Sequence, residues 1–149
     1  MRIGVSPLND YVVDASIVIQ HLITDRYTPN VDALFEQLNQ DVRLHAPEFC
    51  VVECTNILWK NVRRSTLPQD RALDLATDVA NLQITFANIN ELLQSALEIG
   101  LRQGLAVYDS VYIALARALN CPLITDDEKQ AKAASSEGVR VKPITDFVP

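Results

Sequence analysis

Glycine is scarce in this chain. Only four of its 149 residues are glycine, which leaves no Gly-rich loop to cradle a phosphate and no flexible linker to divide the chain. Cysteine is sparse as well. Cys50, Cys54 and Cys121 are odd in number and lack the CxxC or Cys/His spacing of a zinc site. Cys50 and Cys54, four apart, read instead as small core residues of a helix, and the usage suits a reducing compartment. No apolar run approaches ~18 residues without a charge, and the opening MRIGVSPLND has no apolar stretch of the signal-peptide kind. A cytoplasmic protein without a membrane segment is therefore expected. Positive charge is lacking too: the formal net charge is −6, which argues against coating nucleic acid by bulk electrostatics but not against a few locally placed cations. The two histidines, His21 and His45, are isolated from each other and from any Ser or Cys in a triad-like context, so nucleophilic catalysis is not indicated.

What is present is an ordinary globular composition, 48% apolar and 21% charged. The length suits one domain over residues 1–149, with a core from about 11 to 145. Tyr11-Val12-Val13 is a short β-prone run that stops at Asp14, with a helix expected through Ile17 to Leu22. Thr28-Pro29 opens a helix to Leu38, and 42–46 reads as a strand. Helices follow over 47–64 and after Pro68, then a strand over 84–89. A helix over 89–103 should bury Leu92, Leu93, Ala96, Leu97 and Ile99, and another spans 109–119. A strand at 122–125, a helix at 127–135 and a strand at 139–141 complete the chain. Short apolar strands alternating with helices predict an α/β three-layer sandwich around a mostly parallel sheet of about five strands. Trp59 and Tyr112, at helical spacings, read as core or interface rather than base-stacking platforms.

Ligands of such sheets bind at the carboxyl ends of the strands. Asp14 ends the first strand, and Asp126 and Asp127 end the run Pro-Leu-Ile-Thr. Each is also a candidate helix N-cap. Glu53 interrupts the apolar run Phe49-Cys50-Val51-Val52, and Asp109 heads the apolar helix Ser110 to Ala116. Charges in such company are paired or bind metal, unless, as for Asp109, they cap the helix. Were Asp14, Glu53, Asp109 and one of the 126/127 pair to converge, six carboxylate pairs about 5.5 Å apart would repel by roughly 3 kcal/mol each at an effective dielectric near 20. The total, roughly 18 kcal/mol, exceeds the net stability of a typical domain. Such a cluster takes up protons or a cation, and oxygen ligands select Mg²⁺ or Mn²⁺. On the same helix, Lys60 and Arg64 lie within about 20° of Glu53 and are candidate phosphate contacts, or cations suited to a helix C-terminus.

These residues resemble the PIN-domain ribonucleases, most of all the VapC-type toxins. The resemblance rests on Val12-Val13-Asp14-Ala15-Ser16, on Pro47-Glu48 with Glu53 and Asn56, on Tyr108-Asp109-Ser110-Val111-Tyr112-Ile113-Ala114-Leu115-Ala116, and on Leu123-Ile124-Thr125-Asp126-Asp127. They span residues 11–135 in the family's order. About ten extra residues precede the first strand, a departure from the family's usual start.

The resemblance implies catalytic and metal-holding roles for Asp14, Glu53, Asp109 and Asp127, with Asp126 as the alternative fourth acid. It implies supporting roles for Ser16, Asn56 and Thr125, and one or two Mg²⁺ or Mn²⁺ ions as cofactors. The implied reaction is hydrolysis of an RNA phosphodiester by in-line attack of a water activated by the ion. The implied partners are RNA, a small antitoxin protein and a second copy of the chain in a homodimer. An inactive PIN domain serving as a binding or assembly module is the alternative. A receiver or an Asp-x-Asp phosphatase fits less well, since Asp14-Ala15-Ser16 lacks the second Asp and Leu44-His45-Ala46 offers no acid.

Overall fold

The computed structural model describes residues 8–149; residues 1–7 of the expected single domain lie outside the described residues. The chain runs β1 (Asn9–Val13), α1 (Ala15–Leu22), α2 (Thr28–Glu36), β2 (Val42–Pro47), α3 (Cys50–Arg63), α4 (Gln69–Ala80) and β3 (Thr85–Ala87). A 3-10 turn at Asn90–Leu92 leads into α5 (Leu93–Gln103), then α6 (Val107–Leu119), β4 (Leu123–Ile124), α7 (Glu128–Ser136) and a last 3-10 turn at Ile144–Asp146.

All strand pairs are parallel, in the order β3-β2-β1-β4. From β1 the chain steps outward twice, through α1–α2 to β2 and through α3–α4 to β3. It then returns across the sheet, through α5 and α6, to the far side of β1. Right-handed crossovers in opposite directions place α1–α4 on one face and α5–α6 on the other. The packing agrees: α1 meets α2, α3 and α4, while α6 covers β1, β2 and β4 and carries α5 and α7. This is the three-layer α/β sandwich expected. The strand order reverses between β1 and β4, which puts the binding crevice of an open sheet at their carboxyl ends.

The sheet has four strands rather than about five. The expected strand at 139–141 is a single bridge, Leu123 to Val141, with Leu123 N donating to Arg140 O (2.9 Å) and Lys142 N to Leu123 O (2.9 Å). β4 is only two residues long, and Pro143, which has no N–H, follows at once. The helix expected from Pro47 starts at Cys50 instead, because Pro47 still pairs with Ala87 and Glu48 N donates to Ala87 O at 3.0 Å.

α5 buries Ala96, Ile99 and Gly100, not Leu93 and Leu97 as expected. A β-carbon at Gly100 would stand 2.7 Å from the Leu105 carbonyl oxygen, so the helix meets its neighbour through its small residues. Leu93, Leu97 and Leu101 are left as an exposed stripe. Tyr112 is core, but Trp59 is 59% exposed, with the Arg63 guanidinium 5.8 Å from its ring. Cys50, Cys54 and Cys121 are buried free thiols. Glu137, just after α7, accepts from Arg102 (2.6 Å), Gln103 (2.6 Å) and Arg117 (3.0 Å). The Arg102 bond, before the others, holds this carboxyl down at about 2, and the cluster ties α7 to α5 and α6. Among the described residues no helix is long and apolar enough to cross a membrane.

Candidate functional site

Asp14 follows β1 and occupies the N-cap position of α1, yet its side chain makes no cap bond. It is 6% exposed and accepts instead from Ser16 Oγ (2.6 Å, to Oδ1) and Thr125 Oγ1 (2.8 Å, to Oδ2). Register explains the second contact: Val12 pairs with Leu123 and Val13 with Ile124, so Thr125 comes up beside Asp14. Burial pushes the Asp14 carboxyl up to about 7, against the two hydroxyl bonds, which favour the anion.

Thr125 also accepts from Asp127 N (3.0 Å), and Ser16 Oγ accepts from Asp126 N (3.1 Å). Two hydroxyls thus stitch the end of β1 to the end of β4. Asp127 caps α7, with Oδ1 accepting from Gln130 N at 3.0 Å. The capping alternative is therefore real for this residue, but it uses one oxygen and leaves the other. Asp126 is turned away: its Oδ2 accepts from Gln20 Nε2 at 3.2 Å, while Gln20 Oε1 accepts from Tyr27 N at 2.9 Å.

Asp109 lies in the first turn of α6, whose N-cap is Ala106, so it is not the cap. Burial raises its carboxyl, the Asp127 charge raises it further, and Lys129 opposes the shift. Glu53 lies in the first turn of α3 and accepts from the Tyr112 hydroxyl at 2.6 Å. Burial raises its carboxyl as well; the Tyr112 bond opposes this and the Asp109 charge adds to it. All four acids stand at helix N-termini, where the backbone dipole favours an anion.

The mutual influences form a chain. Asp127 acts on Asp14 and on Asp109, and Asp109 acts on Glu53. The fold therefore brings residues from four distant parts of the sequence to the carboxyl edge of the sheet, at the N-termini of α1, α3, α6 and α7. A cleft of about 230 Å³, walled by Tyr27, Thr125, Asp126, Asp127 and Ile144 among others, opens at the end of β4; of the four acids only Asp127 lines it. Among the described residues none of the four acids forms a salt bridge. Nor, among the described residues, do any three His, Cys, Asp or Glu side chains stand close enough together to hold one metal ion. Oxygen donors, the burial of Asp14 and the absence of a salt bridge to any of the four acids among the described residues fit a hard divalent ion.

Of the other sequence candidates, Ser16 and Thr125 touch Asp14 directly. Asn56 is exposed on α3, with no hydrogen bond to the acids among the described residues. Lys60 and Arg64 are exposed at the other end of the same helix and form no salt bridge among the described residues. Two contributors were missed: Tyr112, which orients Glu53, and Gln130, whose Nε2 donates to the Asp109 carbonyl at 3.1 Å. Their signal was a polar side chain on a face that must be buried, and for Tyr112 it was read as packing alone.

Residues 11–135, a stretch that contains all four acids, match the sequence profile of the PIN domain. The chain belongs to the PIN-domain family. Its similarity to curated PIN-domain proteins extends over most of both chains. It is 28% identical over 123 residues to Ribonuclease VapC3 of Pyrobaculum aerophilum, covering 81% of this chain and 92% of that protein. It is 32% identical over 116 residues to Ribonuclease VapC9 of Mycobacterium tuberculosis, covering 78% of this chain and 84% of that one. Its PIN fold is shared with the crystal structure of PAE2754 from Pyrobaculum aerophilum (TM-score 0.70, 18% identity, 93% of this chain and 91% of that chain). It is shared also with Mycobacterium tuberculosis VapC20, described as a sarcin-ricin loop cleaving toxin (TM-score 0.66, 17% identity, 89% and 99% of the two chains).

Proposed function

We propose that this PIN domain is a metal-dependent endoribonuclease that hydrolyses RNA phosphodiester bonds, and that it is the toxin of a toxin–antitoxin pair. The observation that carries the reading is the placement of Asp14, Glu53, Asp109 and Asp127 at four helix N-termini on the carboxyl edge of the sheet, none of them in a salt bridge among the described residues. The VapC ribonucleases to which the chain is similar support RNA as the substrate.

Asp14, Glu53, Asp109 and Asp127 would hold Mg²⁺ or Mn²⁺. When bound, such an ion lowers the pKa of a water and offsets the charge that builds on the phosphate during in-line attack. The chain's own residues do the positioning. Ser16 and Thr125 fix both oxygens of Asp14, so its orientation is set before any ligand arrives. Tyr112 holds one oxygen of Glu53, Oε1, by its hydroxyl. Thr125, which bonds both Asp14 and the Asp127 backbone, would orient the attacking water. Lys60 and Arg64, further along α3, would meet phosphates of an RNA backbone running away from the metal, with Asn56 between them and Glu53.

Cleavage of RNA by the purified chain should require Mg²⁺ or Mn²⁺, stop with a chelator and leave 5′-phosphate and 3′-hydroxyl ends. RNA left intact at millimolar Mn²⁺ would instead leave the chain as a binding or assembly module. In the Lys60→Gln/Arg64→Gln double variant, KM for RNA should rise about tenfold while kcat changes little, because the lost phosphate contacts position the substrate rather than react. An unchanged KM would remove both residues from the RNA path.

Two exposed apolar surfaces support protein partners. One is the Leu93, Leu97 and Leu101 stripe of α5, suited to a second copy in a homodimer. The other is a groove of about 370 Å³ between α3 and α4, lined by Leu58, Trp59, Val62 and Leu73 among others, suited to a small antitoxin. A chain of VapBC2 from Rickettsia felis, bound to a DNA fragment from its promoter, has the same fold (TM-score 0.64, 12% identity).

A further inference from the structure

Gln130 sits in the first turn of α7 and is fully buried, at 0% exposure. A glutamine carries two donors and an acceptor in its side chain, and burying them is unfavourable unless each finds a partner. Its Nε2 donates to the carbonyl oxygen of Asp109 at 3.1 Å. Its backbone N–H donates to Asp127 Oδ1 at 3.0 Å. One residue thereby joins two acids that repel each other and that come from different helices, α6 and the start of α7. Its Oε1 is buried and accepts from no protein group, the one such side-chain atom among the described residues.

Core packing alone does not account for this choice. An apolar side chain of similar volume would fill the same space without an orphaned acceptor, which costs about 1–3 kcal/mol when buried. Gln20 makes the contrast. It too is buried, but its Nε2 bonds Ser16 O and Asp126 Oδ2, and its Oε1 bonds Tyr27 N. Gln20 is satisfied by the protein. Gln130 is satisfied on the side facing Asp109 only, so the bond to Asp109 is what its amide is there for.

We propose that Gln130 is a positioning residue of the acidic site: by bonding the Asp109 carbonyl from the first turn of the helix that Asp127 caps, it fixes Asp109 relative to Asp127. The inference rests on the metal-dependent reading given above, and it concerns affinity for the ion, not the cutting of RNA. Partners one step removed from a metal typically change its affinity about 10–100-fold when removed.

The test uses the full chain without RNA. Mn²⁺ affinity is measured by calorimetry, and thermal stability by melting in the presence of a chelator, for the wild type, Gln130→Met, Gln130→Leu and Gln20→Met. Gln130→Met should melt at or above the wild-type temperature, since it removes the orphaned acceptor, yet bind Mn²⁺ at least about tenfold more weakly. Gln130→Leu should follow it. Gln20→Met should do the reverse, losing stability while keeping its Mn²⁺ affinity. A purely structural Gln130 would move stability and affinity together, and either that result or an unchanged affinity in both Gln130 variants overturns the proposal. A wild-type chain that binds Mn²⁺ but leaves RNA intact would overturn the nuclease reading and leave the role of Gln130 standing. A wild type that binds no Mn²⁺ overturns both.

Discussion

Asp14→Asn should reduce Mg²⁺-dependent RNA cleavage by at least about 10²-fold, the scale of losing one group that stabilises the reacting charge, while making the metal-free protein more stable at pH 8. The two effects have one cause. Asp14 is buried with two hydroxyl donors and no cationic partner, and its carboxyl stands at about 7 instead of the ordinary 3.8. A raised carboxyl means that the folded state holds the proton more tightly than the unfolded chain. Stability contributed by this group is therefore greatest below about pH 4 and falls as pH rises, levelling off above about 7. A shift of about three pH units corresponds to roughly 4 kcal/mol. Asparagine has the same shape and no charge, and the Ser16 and Thr125 hydroxyls can turn to accept from its amide. Urea unfolding in a chelator, at pH 5 and pH 8, reads the difference directly. The variant should gain on the wild type as pH rises. A wild type whose stability has the same pH slope as the variant would show that Asp14 is not a buried, strained acid. Full cleavage activity in both Asp14→Asn and Asp109→Asn would remove these acids from the site.

Much of this arrangement could be read from residues alone. The alternation of short apolar strands with helices requires helical crossovers, and handedness then leaves few topologies. Asp14 and Asp127 were visible as acids closing apolar runs, Glu53 and Asp109 as charges inside helices that had to be buried. What periodicity cannot supply is the choice between faces when both are apolar. In α5 the leucines looked like the core side, but the neighbouring helix approaches through Ala96 and Gly100, where only small residues fit against the Leu105 carbonyl. The 139–141 strand failed for a similar reason: its β-prone residues are there, but their partner β4 offers only two residues to pair with. The links from Tyr112 to Glu53 and from Gln130 to Asp109 span 59 and 21 positions. No local pattern encodes such contacts. They exist because two helix faces meet in three dimensions, so the acids and the hydroxyls of Ser16 and Thr125 are legible in the sequence, while Tyr112 and Gln130 are not.

Millimolar Mn²⁺ or Mg²⁺ should raise the melting temperature of the wild type at pH 8 by about 5–10 °C. The estimate follows from mass action: at a hundredfold excess over Kd, a ligand that binds only the folded state adds about 2.7 kcal/mol. For a chain of this size each kcal/mol moves the midpoint by about 2–4 °C. The increase should shrink as pH falls through 7 toward 5, because protonated carboxyls neither repel one another nor bind the ion, and Asp14 takes up its proton in that window. Sodium chloride at matched ionic strength separates binding from screening: general screening acts on every surface charge and needs no particular acid. Asp14→Asn and Asp109→Asn should each lose most of the increase, while Asp126→Asn, whose carboxylate is engaged by Gln20, should keep it. An Asp126 variant that loses the shift while Asp127→Asn retains it would reassign the fourth acid. A shift that survives equally in every variant would mean that the ion binds elsewhere, leaving the carboxylates at the carboxyl edge of the sheet to relieve their repulsion by protonation alone.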